Sequence, residues 1–393
     1  MPNLQKQPGQ PSPSLGRLFF SFLRLGTTAF GGPAMIAHIR ELAIGRERWL
    51  DKESFRDGVA LCQTIPGATA MQMAAYVGLR LRGVCGAIAG YLGFGLPAFL
   101  LMTALSALYA RTHALPAVVA VFSGPQAIIV AIVANAALSF GRSSLTNWQH
   151  GVVALVAAGL FGLAVHPVLI LILAALLSLA LNSGQPTTRQ GEPQTRMPST
   201  TRPLLFLLAA TAAGFALLAF FRYDLAQLAL LLARIDLMAF GGGFASVPLL
   251  FHEIVETRAW LDASTFLDGI ALGQLTPGPI VITATFVGYL LHGLIGAFIA
   301  TVAMFLPSLL LLIGTAPHFS RLHASHRFNR AIDGVLCSFV GLLCTVTIRL
   351  SLHVHWDWPH LFLGAAAFAA LFKKIDLLWV VLVGATVAML LFQ

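Results

Sequence analysis

Two kinds of glycine-proline cluster occur twice along the chain: Phe30-Gly31-Gly32-Pro33 and Ile65-Pro66-Gly67 in the first half, Phe240-Gly241-Gly242-Gly243 and Thr276-Pro277-Gly278-Pro279 in the second. Each interrupts an apolar run. Proline near a first helical position, after a capping residue such as Thr276, starts a half-helix whose first N–H groups have no intrahelical acceptor. Such an end carries about half a positive charge and attracts anions, worth up to ~2 kcal/mol per partly buried terminus. Several aimed at one point suit an oxyanion; the alternative is kinks that serve only folding or gating. Arg24 and Arg234 stand in register at an offset of 210, each six residues before its Phe-Gly-Gly. A basic residue inside an apolar segment is costly unless paired or wet, and two guanidiniums could grip two edges of a tetrahedral dianion. Snorkelling to an interface, or for Arg234 a pairing with Asp236, is the competing reading. Gln63 and Gln274, three residues before each Pro-Gly, can donate an amide to an anion or bridge the broken backbone. Asp57 and Asp268 also repeat. They suit a coupling role in proton relay, and they also fit capping boxes, Ser54-x-x-Asp57 and Thr265-x-x-Asp268, which is the plainer account.

The elements that position these residues are membrane helices. Of 393 residues, 58% are apolar and only 10% charged, against roughly a quarter charged in soluble domains. That excludes a water-soluble enzyme. Lys plus Arg exceed Asp plus Glu, 24 to 15, for a net charge of +9; in an apolar chain such a surplus gathers at membrane ends and favours an anionic solute, so no nucleic acid is expected. Cys62, Cys85, Cys337 and Cys344 form no C-x-x-C pair and read as buried, inert thiols. His353 and His355 beside Trp356 and Trp358 read as an interfacial loop rather than a metal site. No Walker loop, nucleotide fingerprint, G-x-S-x-G or H-E-x-x-H occurs, so no enzyme, cofactor or metal is expected. No secretory signal peptide is evident at the N-terminus.

Apolar runs of spanning length lie at 15–39, 57–79, 84–110, 116–140, 204–221, 228–251, 266–291, 293–316 and 331–350. Runs 151–182 and 359–392 break at His166-Pro167 and at Lys373-Lys374-Ile375-Asp376, so each reads as two short crossings around a tight turn. Residues 1–14 read as a disordered N-terminus and 183–203 as a hydrophilic linker. The two sides of that linker repeat each other. Trp49-Leu50-Asp51 matches Trp260-Leu261-Asp262, Asp57-Gly58 matches Asp268-Gly269, Val77-Gly78 matches Val287-Gly288, Gly83 and Gly86 match Gly293 and Gly296, and Pro97 matches Pro307, all at offsets of 210 or 211. The scattered glycines read as sites of close helix packing. The expected fold is an all-α integral membrane protein of about thirteen segments: a first repeat at 15–182, a linking helix at 204–221 and a second repeat at 222–393. An odd linking helix inverts the second six-helix repeat, the arrangement in which broken helices meet near the midplane. Lys and Arg are commoner at the N-terminus and after even-numbered crossings, which favours a cytoplasmic N-terminus.

The stretch Arg24 to Pro33, followed by Trp49, Gln63 and Pro66-Gly67, resembles the first half of bidomain chromate ion transporters. Residues 240–250, 260–262, 266–279 and 286–289 are similar to their second half. The resemblance implies secondary transport: export of chromate across the bacterial inner membrane, coupled to the proton-motive force and giving chromate resistance, with sulfate as the natural look-alike. The mechanism expected from the residues themselves is alternating access, the two inverted halves rocking about a cavity lined by the four breaks. Oxyanion uptake and an anion channel are the rival readings, membrane lipids the surroundings, and a homodimer is compatible. One departure stands out: the family pattern continues the first Pro-Gly with a second proline, where this chain has Ala68.

Overall fold

The computed structural model describes residues 13–30, 33–112, 116–181, 200–319 and 324–391. Gly31, Gly32, residues 1–12 and linker residues 183–199 lie outside them. Among the described residues the regular structure is helical throughout, in fifteen α-helices. In the first repeat these are α1 (Leu15–Gly26), α2 (Pro33–Arg40), α3 (Lys52–Thr64), α4 (Thr69–Thr112), α5 (Pro116–Ser144), α6 (Trp148–Gly162) and α7 (Pro167–Leu181). Helix α8 (Thr201–Phe221) stands between the repeats. The second repeat holds α9 (Tyr223–Asp236), α10 (Ser246–Leu250), α11 (Ala263–Leu275), α12 (Thr283–Thr315), α13 (His326–Leu352), α14 (Trp358–Phe372) and α15 (Leu377–Leu391).

The glycine-proline clusters do break the runs. Run 15–39 is α1 and α2 with a gap, 57–79 is split between α3 and α4, and 266–291 is split between α11 and α12. Helices α4 and α12 are each two antiparallel pieces. Arg82 and Gly83 leave helical geometry (Gly83 φ 61°, ψ −150°), as do His292 and Gly293 (φ 62°, ψ −150°). A Cβ on Gly78 would overlap the Gly86 carbonyl, and one on Gly90 would meet the Ala74 carbonyl at 2.6 Å. Residues 8 and 16 apart would stand about 12 and 24 Å apart on a straight helix, so the chain doubles back at Gly83. Gly288 against Gly296, and Thr285 against Thr301 at 2.7 Å, close the second hairpin in the same way. Gly86 and Gly296 are thus packing glycines, as expected. Gly83 and Gly293 meet nothing within 4 Å; they are present for a backbone conformation that other residues avoid.

The chain sorts into two compact units, Met1–Ser106 with Gln194–Gly243 and Thr276–Phe319, and Ala107–Pro193 with Phe244–Leu275 and Ser320–Gln393. The second unit is built on α13, where Gly341 and Gly334 admit the carbonyls of Ala154 on α6 and Ala174 on α7. Arg349 of α13 binds Glu256 at 2.6 Å and the Phe161 carbonyl at 2.7 Å. The terminal hairpins repeat each other at the same offset of 210: Asn147 caps α6 through the His150 N–H, and Asp357 caps α14 through the His360 N–H, both at 2.9 Å. That N–H holds the Asp357 carboxyl below the usual carboxylate range. In the turns that follow, Ala164 and Lys374 both have positive φ, and His166 and Asp376 each accept the N–H two residues on. The repeat therefore extends to the hairpins.

Five helices are long and apolar enough to cross a membrane among the described residues, and α8 has no buried residue. Helices α6, α7, α14 and α15 have 15 residues each, about 22 Å, short of a ~30 Å hydrocarbon core. Thiol burial differs from expectation: Cys62 and Cys337 are buried, while Cys85 and Cys344 are exposed on the outside of their helices.

Candidate functional site

The first unit brings the four breaks together. The Gly67 N–H donates to the Ala239 carbonyl and the Gly278 N–H to the Ala29 carbonyl, both at 2.9 Å. Ala29 and Ala239 immediately precede Phe30 and Phe240. Each Pro-Gly turn is therefore held by the alanine that precedes the phenylalanine of the opposite repeat, a reciprocal exchange. Glycine is required at both turns. Gly67 has φ 116° and Gly278 φ 110°, a region L-residues avoid. A Cβ on Gly67 would overlap that of Ser308, and one on Gly278 would come 2.9 Å from that of Ala98; Ala98 and Ser308 are themselves related by 210. Gly241 and Gly242 also have positive φ, 86° and 106°, and a Cβ on Gly242 would stand 3.2 Å from Thr69 Oγ1.

Two helix starts issue from this crossover. Helix α4 begins at Thr69, with Gln72 N–H bonded to the Ala68 carbonyl and Gln72 Nε2 to the Pro66 carbonyl at 2.6 Å. A 3-10 turn at Ile280–Ile282 follows Pro279, has no side-chain cap and leads into α12. The amides of Gly67 and Gly278 are spent on carbonyls, and that of Ile282 on the Pro279 carbonyl, so those an anion can use are the next ones, at 69–71 in the first turn of α4 and at 280–281.

The other expected residues are distributed unevenly. Pro66, Thr276, Pro277 and Pro279 are buried at the crossover; Phe30, Phe240, Gly241 and Gly243 are half-buried. Arg24, in the last turn of α1, is exposed, and Arg234 on α9 is half-buried. Arg234 does not pair with Asp236, whose carboxylate instead accepts the Ser308 N–H at 2.7 Å. Gln63 is exposed; Gln274, on α11 in the second unit, is 7% exposed with its Nε2 unpartnered. Asp57 is half-buried, and Asp268 takes hydrogen bonds from Tyr109 Oη at 2.8 Å and Gln126 Nε2 at 3.1 Å. The capping reading of Asp57 and Asp268 is corrected. The caps are Asp51 and Asp262, which accept the N–H groups of Ser54 at 2.7 Å and Thr265 at 2.8 Å. Residues missed from sequence are Gln72, Tyr91 and Ser308; only Ser308 left a signal, standing where the first repeat has Ala98. No group of His, Cys, Asp and Glu that could hold a metal occurs among the described residues.

The family model described as "Chromate transporter" matches the chain twice, over residues 16–179 and 226–389, again an offset of 210. The chain is 31% identical to the chromate transport protein of Cupriavidus metallidurans, covering 93% of this chain and 90% of that one. It is 32% identical to the chromate transport protein of Pseudomonas aeruginosa over 92% of this chain and 86% of that one. An uncharacterized transporter of Methanocaldococcus jannaschii is 40% identical, over 94% and 93%. No solved structure matches the chain.

Proposed function

Because the chain belongs to the chromate transporter family, we propose that this multi-pass membrane protein carries chromate out of the cytoplasm by alternating access. The observation that carries the reading is the reciprocal pair of hydrogen bonds, Gly67 to Ala239 and Gly278 to Ala29. It supports a shared site where half-helix amides from two inverted repeats converge on one anion. In this reading Arg24 and Arg234 neutralise the dianion, Gln63 donates an amide to its oxygens, and Phe30, Phe240, Gly241, Gly242 and Gly243 line the path with Pro66, Gly67, Thr276, Pro277, Gly278 and Pro279. The N-terminus lies in the cytoplasm and the membrane is a bacterial plasma membrane.

The direction follows from charge. Each net negative charge leaving a negative interior gains about 2.3 kcal/mol per 100 mV. Sulfate has the same charge and shape, so a site built from backbone amides discriminates the two poorly. Inverted vesicles test the reading: chromate accumulation that saturates, is competed by sulfate and falls when the potential is collapsed is the expected result. Flux that rises linearly without saturation speaks for a channel, and no flux above empty vesicles refutes the assignment.

A further inference from the structure

We propose that Asp236 is the proton-carrying residue of the transport cycle, taking one proton across in the same direction as each oxyanion. This rests on the transport reading above. Asp236 ends α9 and is 1% exposed. Among the described residues the one hydrogen-bonded neighbour of its side-chain carboxyl is Ser308, whose N–H donates to it at 2.7 Å. Ser308 Oγ lies 3.1 Å from the Phe305 carbonyl and 3.3 Å from Tyr91 Oη, which itself donates to Phe305 at 2.6 Å. The Ser308 side chain is also the wall against which the Gly67 turn rests. The carboxyl thus sits one residue behind the crossover.

The charged and titratable groups around it do not neutralise it. On its own helix Arg234 makes its contacts elsewhere, and Asp224 is occupied at the far end with Arg222 and with His292 of α12. Arg202 and Arg222 flank α8, and α4 contributes Tyr91, a neutral phenol. A carboxylate sealed from water with no cation costs far more than the neutral acid. A dianion at the adjoining turn adds like-charge repulsion. Carboxyl and oxyanion therefore share the crossover only while the carboxyl holds its proton, and it ionises when that region opens to water and the oxyanion departs.

The first repeat shows that the carboxyl is not needed to build the crossover. At the positions of Asp236 and Ser308 it has Gly26 and Ala98, with the Phe94 carbonyl filling the space against Gly26. One of two equivalent places carries the acid, as a coupling group requires and a packing group does not.

The test uses purified full-length protein in liposomes holding a pH-sensitive dye, with chromate in alkaline buffer where it is the dianion. Wild type should move protons with chromate in the same direction, one for one. Asp236→Asn should lose the proton flux while chromate-for-chromate exchange persists. The double variant Asp236→Gly/Ser308→Ala, which copies the first repeat, should do the same and serves if the amide fails to fold. Chromate flux without protons in wild type, or proton coupling that survives in either variant, overturns the proposal. Wild-type protein that moves no oxyanion at all refutes the transport reading itself, and this proposal with it.

Discussion

Replacing Gly67 with alanine tests the crossover most directly. The backbone there has φ 116°, and holding an L-residue in such a region costs about 1–3 kcal/mol. The new methyl would overlap the Ser308 side chain and come 2.8 Å from Gln72 Nε2; overpacking of this kind costs a further ~1–3 kcal/mol. The total, roughly 2–6 kcal/mol, exceeds that of Gly83→Ala, where the space is open and only the backbone strain of about 1–3 kcal/mol applies. Ser308→Gly separates the two contributions because it removes the obstructing side chain and keeps the N–H that Asp236 uses. Alone it costs ~1 kcal/mol as a glycine in a helix. Combined with Gly67→Ala it should recover about 1–2 kcal/mol of the expected sum, within the range of coupling between touching residues. Thermal unfolding in detergent, followed by size-exclusion of the surviving fraction, reads the stability, and vesicle flux of chromate reads the site. Gly67→Ala as stable as Gly83→Ala, or a double variant that is simply additive, would show that this turn is not clamped as described.

Three further outcomes are expected. Arg24→Ala and Arg234→Ala should each lower chromate flux about 10- to 100-fold, the worth of one charge-assisted contact of about 1.5–3 kcal/mol; if both variants transport normally, the charge-neutralisation assignment is wrong. Arg349→Ala removes the ties to Glu256 and the Phe161 carbonyl and should cost about 2–4 kcal/mol in thermal unfolding, with chromate-site variants unaffected; no loss would mean the network is dispensable. Asp357 is held below its ordinary range by the His360 N–H, so its contribution is present above the unfolded-state value and is lost as pH falls through the lower folded value. The melting difference between wild type and Asp357→Ala should therefore shrink on acidification, and a difference that grows would contradict the cap.

The breaks were readable because glycine and proline have no cheaper reason to interrupt an apolar run, and the duplication was readable wherever identity survived, from Phe30 to Pro97 and from Phe240 to Pro307. Beyond Pro97 identity thins to isolated pairs such as Trp148 with Trp358 and His150 with His360, and elsewhere role survives without it. A helix start needs an acceptor, so Asn147 and Asp357 serve alike, as do His166 and Asp376, and an identity comparison passes over them. What failed was spatial. Asp57 and Asp268 sat in a capping-box pattern, yet the residue that bonds the Ser54 and Thr265 amides is three positions earlier, at Asp51 and Asp262, which displaces both aspartates a full turn into the helix. Arg234 and Asp236 looked like partners by adjacency, but positions two apart do not share a helix face, and Asp236 turns to Ser308, 72 residues away. The Gly67 and Gly278 amides, which local geometry offers to an anion, are consumed by carbonyls of the opposite repeat. In the last two cases the competitor was a group distant in sequence. A chain that folds two copies through one another makes such competition the rule at its centre, and the residues that differ between copies there, Asp236 for Gly26 and Ser308 for Ala98, are where a symmetric scaffold acquires a direction.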